Sequence, residues 1–493
     1  MPAPRPRGIH QRCRPGLDPL TLTDDTISPG AVICVWLRRM RGRRRASAEP
    51  SMNETFLEGD GLKVNGMTKR SLLVLTMLAS VGAALPANAQ RFIEPDANQP
   101  GGYPLPDGSA KALVQQNCTI CHNLRNIVLS NKSADDWDNT VDMMKNAGAP
   151  ITADQAKEIK QYLIASFPEQ PRPKPAVIDG PVKVKFHIWS TPTPGSRPHD
   201  PLAAPDGTLW WSGQFANRIG HLDPKTGEMK EYPIPRLAGP HGLINDKDGN
   251  IWYAGNWGGH IGKLDVKTGQ FTFYNMPDPK AKDPHTPLFD RDGFLWFSVQ
   301  NGGFMGRLDP VSGEIKLVQP AGNPGQMPYA LRFLSDGKQP WFAFWGTNKI
   351  ATVDPKTFQV TEFALPDPKT RIRRIGVTSD DMIWYGDWSN GKLSRFNPKT
   401  GEVKSWDGPS GPQSQPYGMT VIDDVVWYVE SNTRPNNLVR FDPKTEKFQT
   451  FQIPEGGGGI VRHMMPTRDG NIAMAMSGLS QVGIAEILPS QSN

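Results

Sequence analysis

The 493-residue sequence predicts a small all-α domain followed by an all-β seven-bladed propeller, and three observations point there. Apolar residues recur at helical spacing between residues 109 and 167, behind two N-terminal capping signals. A proline-dense stretch follows. From Val182 onward the chain repeats at intervals of 42 to 45 residues, the size of a propeller blade.

Taken in order, Met67-Thr68-Lys69-Arg70 is a basic opening, Ser71 to Leu85 is an apolar run too short to span a bilayer, and Ala87-Asn88-Ala89 is a cleavage motif. Residues 67–89 therefore read as a signal peptide cut near Ala89, and residues 1–66 as an extension ahead of the true start. The exported chain is expected in a periplasm, without a transmembrane segment. The formal charge of +6 is carried by the leader: 13 Lys and Arg against 7 Asp and Glu lie in residues 1–89, leaving 42 of each beyond it. The basic run Arg38-Arg39-Met40-Arg41-Gly42-Arg43-Arg44-Arg45 goes with the leader, so a nucleic-acid partner is not expected. Cys13 and Cys34 go with it too. Cys118 and Cys121 remain, too few for both a structural disulfide and another use.

That other use is written in Cys118-Thr119-Ile120-Cys121-His122, a C-x-x-C-H. Two thiols at this spacing can each close a thioether onto a haem vinyl group, and the adjacent histidine can ligate the iron. A zinc site needs about four ligands and would call for a second such pair, while thiol redox chemistry of the thioredoxin kind calls for a βαβ frame. The flanks instead read as helix. Ser109 to Val114 opens one, Ser133-Ala134-Asp135-Asp136 caps a second bearing Trp137, Val141 and Met144 on one face, and Thr152-Ala153-Asp154-Gln155 caps a third bearing Ile159, Tyr162, Leu163 and Phe167. Residues 101–167 thus resemble a small cytochrome c domain of the class I type, which implies one covalent haem c. Cys118 and Cys121 would anchor it and His122 would be the first iron ligand. For the second, helical geometry favours Met144, in register with Trp137 and Val141, over Met143, rotated about 100° away.

Residues 168–181 hold Pro168, Pro171, Pro173 and Pro175, and read as a semi-rigid linker. The propeller occupies 182–488. Its turn Asp223-Pro224-Lys225-Thr226-Gly227 recurs at Asp265, Asp309, Asp354, Asn397 and Asp442, and a preceding strand carries Trp210, Trp252, Trp296, Trp341, Trp384 and Trp427, with Ala473 in a seventh copy. The last copy lacks its outer strand, and the alternating run Val182 to Trp189 has that strand's pattern, so the ends should pair and close the ring. The P-H-G, D-G-N-I-W-Y and N-x-I-G-x-L-D-P-K-T-G segments resemble the streptogramin lyase (virginiamycin B lyase) propeller family over all seven blades. Quinone-cofactor propellers share the turn and the tryptophans but fit these segments less well.

About eleven residues ahead of each blade tryptophan stand His199, His241, His285, Tyr329, Arg373, Tyr417 and Arg462, none aliphatic. Equivalent positions on successive inner strands should ring the axis at one mouth, making a polar, aromatic pocket with His463 beside it. His199, His241 and His285 are the candidate catalytic residues, and on adjacent blades they are also candidate ligands for a second, transition metal, with Asp200 and Asp283 as their supports. The family resemblance implies a different set: a magnesium site with an acid two before a ring histidine and another fourteen after. Here the third blade offers Asp283 and His285 but Val299, and the sixth offers Glu430 but Tyr417, so no blade carries the full set. The sequence therefore points to a periplasmic haem electron-transfer protein whose propeller binds a small-molecule substrate or a redox partner, ahead of a lyase or a docking module.

Overall fold

The computed structural model describes residues 103–322, 325–454 and 459–489. The expected extension and signal peptide lie outside the described residues. The described residues belong to one compact unit. Its helices are α1 (Lys111–Cys118), α2 (Arg125–Val128), α3 (Ala134–Asn146) and α4 (Ala153–Ser166). Ser133 Oγ accepts from the Asp136 N–H at 3.2 Å, and Thr152 with Gln155 forms a complete capping box, so both caps start helices where the sequence marks them. Trp137 and Val141 of α3 pack with Val114 of α1 and Ile159, Tyr162 and Leu163 of α4 in one buried cluster. Each such side chain contributes roughly 1.5–3 kcal/mol, and the Trp137 indole N–H is satisfied by the Phe167 carbonyl at 2.8 Å. No helix among the described residues is long and apolar enough to cross a membrane.

The linker has no regular structure beyond an isolated bridge from Pro168 to Lys132, yet it is fastened. The Ala176 N–H donates to Ser410 Oγ at 2.9 Å, and Ile178 exchanges backbone contacts with Thr450, its N–H reaching Thr450 Oγ1 at 2.8 Å and its carbonyl accepting from the Thr450 N–H at 3.0 Å. It runs as a strap beside the outer strand of the sixth blade.

Seven four-stranded antiparallel sheets make a seven-bladed β-propeller. The seventh blade takes its outer strand from the start of the repeat, Val182 opposite Pro489 through Ser190 opposite Gln481, which removes an open edge. Local chemistry explains the repeat. Asp223 Oδ1 accepts the Lys225 N–H at 2.9 Å while Gly227 takes φ +77°, and where the glycine is missing Phe358 and Glu446 adopt the same left-handed region at +61° and +54°. The aspartates that open D-x-D-G-N and D-R-D-G accept the blade indoles: Asp246 from Trp252 and Asp290 from Trp296, both at 2.9 Å. In the fifth blade Thr378 does this for Trp384 at 3.0 Å.

One feature of the blades is absent from the repeat pattern. Every inner strand breaks register with its neighbour near its start, between Pro198 and Pro201 in the first blade and between Ile372 and Ile375 in the fifth. A bulge of this kind re-aims side chains, so two successive residues per blade turn toward the axis instead of alternating.

Candidate functional site

The first of the two residues in each pair makes the ring. His199 and His241 have ring centroids 3.4 Å apart, His241 and His285 3.8 Å, and His285 and Tyr329 4.0 Å. On the other side, the Tyr329 and Tyr417 hydroxyls are 2.5 Å apart, and the Arg373 guanidinium lies 5.3 Å from the Tyr329 ring and 5.1 Å from that of Tyr417. Arg462 closes the circle, its guanidinium donating to the Tyr417 hydroxyl at 3.3 Å.

The second residues form a layer beneath. Arg374, buried, donates to Asp200 Oδ1 at 2.7 Å, to Thr286 Oγ1 at 3.2 Å and to the Arg462 carbonyl at 3.1 Å. His199 Nδ1 is 2.8 Å from the same carboxylate and His463 Nδ1 2.9 Å from its other oxygen. Burial by itself would raise the Asp200 pKa, but Arg374 and the two imidazoles hold it well below the carboxylate range. The ring histidines are neutral because burial penalises their charged form, and His463 is pushed down to about 4 for the same reason.

Arginine dominates this centre. Arg197, Arg332, Arg373, Arg374 and Arg462 all reach it, and among the described residues only Arg374 has a carboxylate partner. Burial and the neighbouring Arg462 bring Arg197 down to about 9, and burial brings Arg332 down to about 10. The phenol of Tyr417 would rise on burial, yet the charges of Arg373, Arg462 and Arg374 draw it down to about 7.

His199, Asp200 and His241 could hold a metal, their ligand atoms all lying within 4.8 Å of one another, and His241 Nδ1 has no hydrogen-bond partner. The guanidinium already seated on Asp200 and the surrounding positive charge work against a cation there.

Two expected pocket residues point elsewhere. Asp283 accepts from the Asn301 and Gly302 N–H groups at 2.7 and 2.9 Å, and His285 turns to Thr286 Oγ1 at 2.8 Å. Glu430 accepts from the Ser410 N–H at 3.0 Å and from Asn437 at 3.2 Å. Both carboxylates organise loops inside their own blades, because backbone N–H groups there offer them better partners than the axis does. Asp283 therefore does not support His285, nor does Glu430 join the ring.

Helix α3 sits at the mouth where the inner strands begin. Asn139 Nδ2 donates to the Gly478 carbonyl at 2.6 Å, Ser480 Oγ donates back to Asn139 Oδ1 at 2.6 Å, and Asn146 donates to the Pro194 carbonyl at 2.7 Å. The backbone of Asp142 and Met143 occupies the space a side chain on Gly195 would need. Asn139, Met143 and Asn146 thus form the propeller-facing row of α3, while Met144 continues the row of Trp137 and Val141 and is half-buried.

The C-x-x-C-H straddles the end of α1. Cys118 is half-buried against the helical core and burial raises its thiol, the opposite of an activated redox thiolate, while Cys121 is exposed. His122 Nδ1 donates to the Asn123 carbonyl at 2.9 Å, which leaves Nε2 as the free lone pair a metal would take. Ile120, inside the motif itself, is 51% exposed, apolar surface that a flat apolar macrocycle would cover. These residues fit a haem.

A model of the virginiamycin B lyase family matches residues 181–319, the first three blades. The propeller is virginiamycin B lyase-like. A streptogramin B lyase structure superposes with a TM-score of 0.56 at 25% identity, covering 62% of this chain and 98% of that one. The virginiamycin B lyase of Staphylococcus aureus gives 0.56 at 22%, covering 62% and 99%. Hydrazine synthase of Kuenenia stuttgartiensis shares the fold at 13% identity and a TM-score of 0.51, covering 60% and 97%. No curated protein sequence matches the chain.

Arg197, Arg332 and Arg374 escape a sequence reading based on one inward residue per blade. For Arg374 the signal was there in the adjacent polar pairs His199-Asp200, Arg373-Arg374 and Arg462-His463, which break the alternation a simple strand demands; Arg197 and Arg332 carry no such signal.

Proposed function

We propose that the chain is an exported c-type haem electron-transfer protein, with the haem domain seated on the mouth of a virginiamycin B lyase-like propeller whose axial pocket binds the substrate or redox partner. The observation that carries this is the C-x-x-C-H at the end of α1, where the Asn123 carbonyl fixes His122 with Nε2 free. Cys118 and Cys121 would form the thioethers, and His122 and Met144 would be the axial ligands. A bound haem would supply reversible one-electron chemistry. The chain's own residues do the rest: α3 holds the domain against the pocket, and the ring of His199, His241, His285, Tyr329, Arg373, Tyr417 and Arg462 presents donors to whatever enters.

A lyase reading has less support, because Asp283 is committed to Asn301 and Gly302 and position 299 is a valine. The test is direct. Protein exported to a periplasm should carry one haem that stays with the denatured chain, and small reductants should be screened for its reduction. Met144→Ala should lower the haem potential and remove the iron–sulfur absorption band, whereas Met143→Ala should change neither. Haem extractable by acidified solvent would end the electron-transfer reading, and magnesium-dependent opening of a streptogramin B ring would restore the lyase.

A further inference from the structure

The charge balance at the propeller axis asks for a ligand. Four guanidiniums, those of Arg197, Arg332, Arg373 and Arg462, have no carboxylate partner among the described residues, and Asp200 is taken up by Arg374, His199 and His463. The Nε atoms of Arg373 and Arg462 are buried with no hydrogen-bond partner. From the helical domain, Lys132, whose charge is partly balanced by Asp136, also feels the positive charge of Arg462 and Arg197. Half-buried positive charge without a carboxylate partner is costly at this density. Guanidinium forks are also the side chains best shaped for two-point contact with planar or tetrahedral oxyanions.

The array is built rather than accidental. Arg373 is held flat against Trp345, its guanidinium 3.1 Å from the ring centroid, with the Trp388 ring 5.6 Å away. These contacts fix the side chain without using up its charge. Arg197 stacks on Phe215, its guanidinium 4.9 Å from the ring centroid. Tyr329 and Tyr417 put two hydroxyls between the guanidiniums.

We propose that Arg197, Arg373 and Arg462 bind a small free oxyanion, of carboxylate or phosphate type, beside the paired hydroxyls of Tyr329 and Tyr417. This deepens the reading of the axial pocket as the substrate site and rests on it. An anion there meets three guanidiniums, two phenols and the indole walls of Trp345 and Trp388, so a carboxylate on a flat ring should bind better than acetate.

The probes are inorganic phosphate, acetate and benzoate, titrated calorimetrically into the whole mature protein in a chloride buffer. One saturable site per chain is expected, with benzoate tighter than acetate. Arg373→Gln and Arg462→Gln should each weaken it about tenfold or more, the scale of a lost charge-assisted hydrogen bond. Lys399→Gln, in an exposed outer turn, removes equal charge and should change nothing. A second readout does not depend on the arginine variants folding. Tyr417 faces Arg197, Arg373, Arg374, Arg462 and Tyr329, and an anion that screens those guanidiniums should raise its pKa and so reduce its ionised fraction. Added phosphate at about pH 8 should therefore lower the tyrosinate absorbance, and Tyr417→Phe should abolish that change.

No saturable binding, or binding untouched by both arginine variants, would overturn the proposal. Binding seen only after Cys118→Ala with Cys121→Ala would assign the array to the haem's own propionates and likewise overturn it. Because binding is measured without turnover, an anion site in a protein that carries no haem would sink the electron-transfer reading alone.

Discussion

Asp200 is a single buried carboxylate in contact with a guanidinium and two imidazoles, and that makes the axis sensitive to acid. Burial holds His199, His241, His285 and His463 neutral, so their folded pKa values lie below the unfolded value of about 6.5. As pH falls through about 6.5 the unfolded chain takes up protons that the folded chain refuses, and stability is lost from there downward. For His463, with a folded value of about 4, the window runs from about 6.5 to 4 and amounts to about 3 kcal/mol. The depressed Asp200 adds a second loss at lower pH, once the carboxylate itself is protonated. Urea midpoints should therefore drop between pH 7 and 5, and His463→Gln should flatten part of that slope. A midpoint constant over the range would mean the imidazoles are not buried as neutral groups.

Within a blade, the glycine of the N-x-I-G-x-L-D segment is a packing requirement. Gly262 lies directly across from Tyr253 on the neighbouring strand, and a Cβ there would collide with the phenol ring; Gly220 stands in the same relation to Trp211 and Gly306 to Phe297. The ring fills the space that the missing side chain leaves, and it is buried in all three blades. Gly262→Ala should cost about 1–3 kcal/mol, as overpacking does, read as a lower thermal midpoint. In Gly262→Ala with Tyr253→Leu, the smaller partner should return part of the loss. The strand periodicity and the turns were readable in the sequence because each depends on residues a few positions apart, whereas the aspartates that accept the indoles were found only in the structure. The bulge was not readable either. It is a relation between two strands, and it lets Asp200, Thr286, Arg374 and His463 join the ring residues at the axis.

Between the domains, Asn139 and Asn146 are two helical turns apart and both donate to propeller carbonyls. Asn139→Ala should leave the propeller's own stability almost unchanged while loosening α3 from the mouth. Limited proteolysis would then cut faster at the helical domain. Equal proteolysis rates for the variant and the parent would show that the linker strap along Ser410 and Thr450 suffices to hold the domain.

The sequence by itself determined the blade number, the closing strand, the helix caps and the C-x-x-C-H, because each rests on local spacing or on a repeat that can be counted. It also placed the ring positions, since equivalent sites on repeated strands must face one axis. What the tertiary structure decided is which charges meet. Asp283 and Glu430 carry the right chemistry for a site, and their own loops claim them. Arg374 crosses from the fifth blade to reach Asp200 in the first, a contact between residues 174 positions apart. Coulomb interactions in a buried centre depend on distance through space, and nothing in the spacing along the chain reports it.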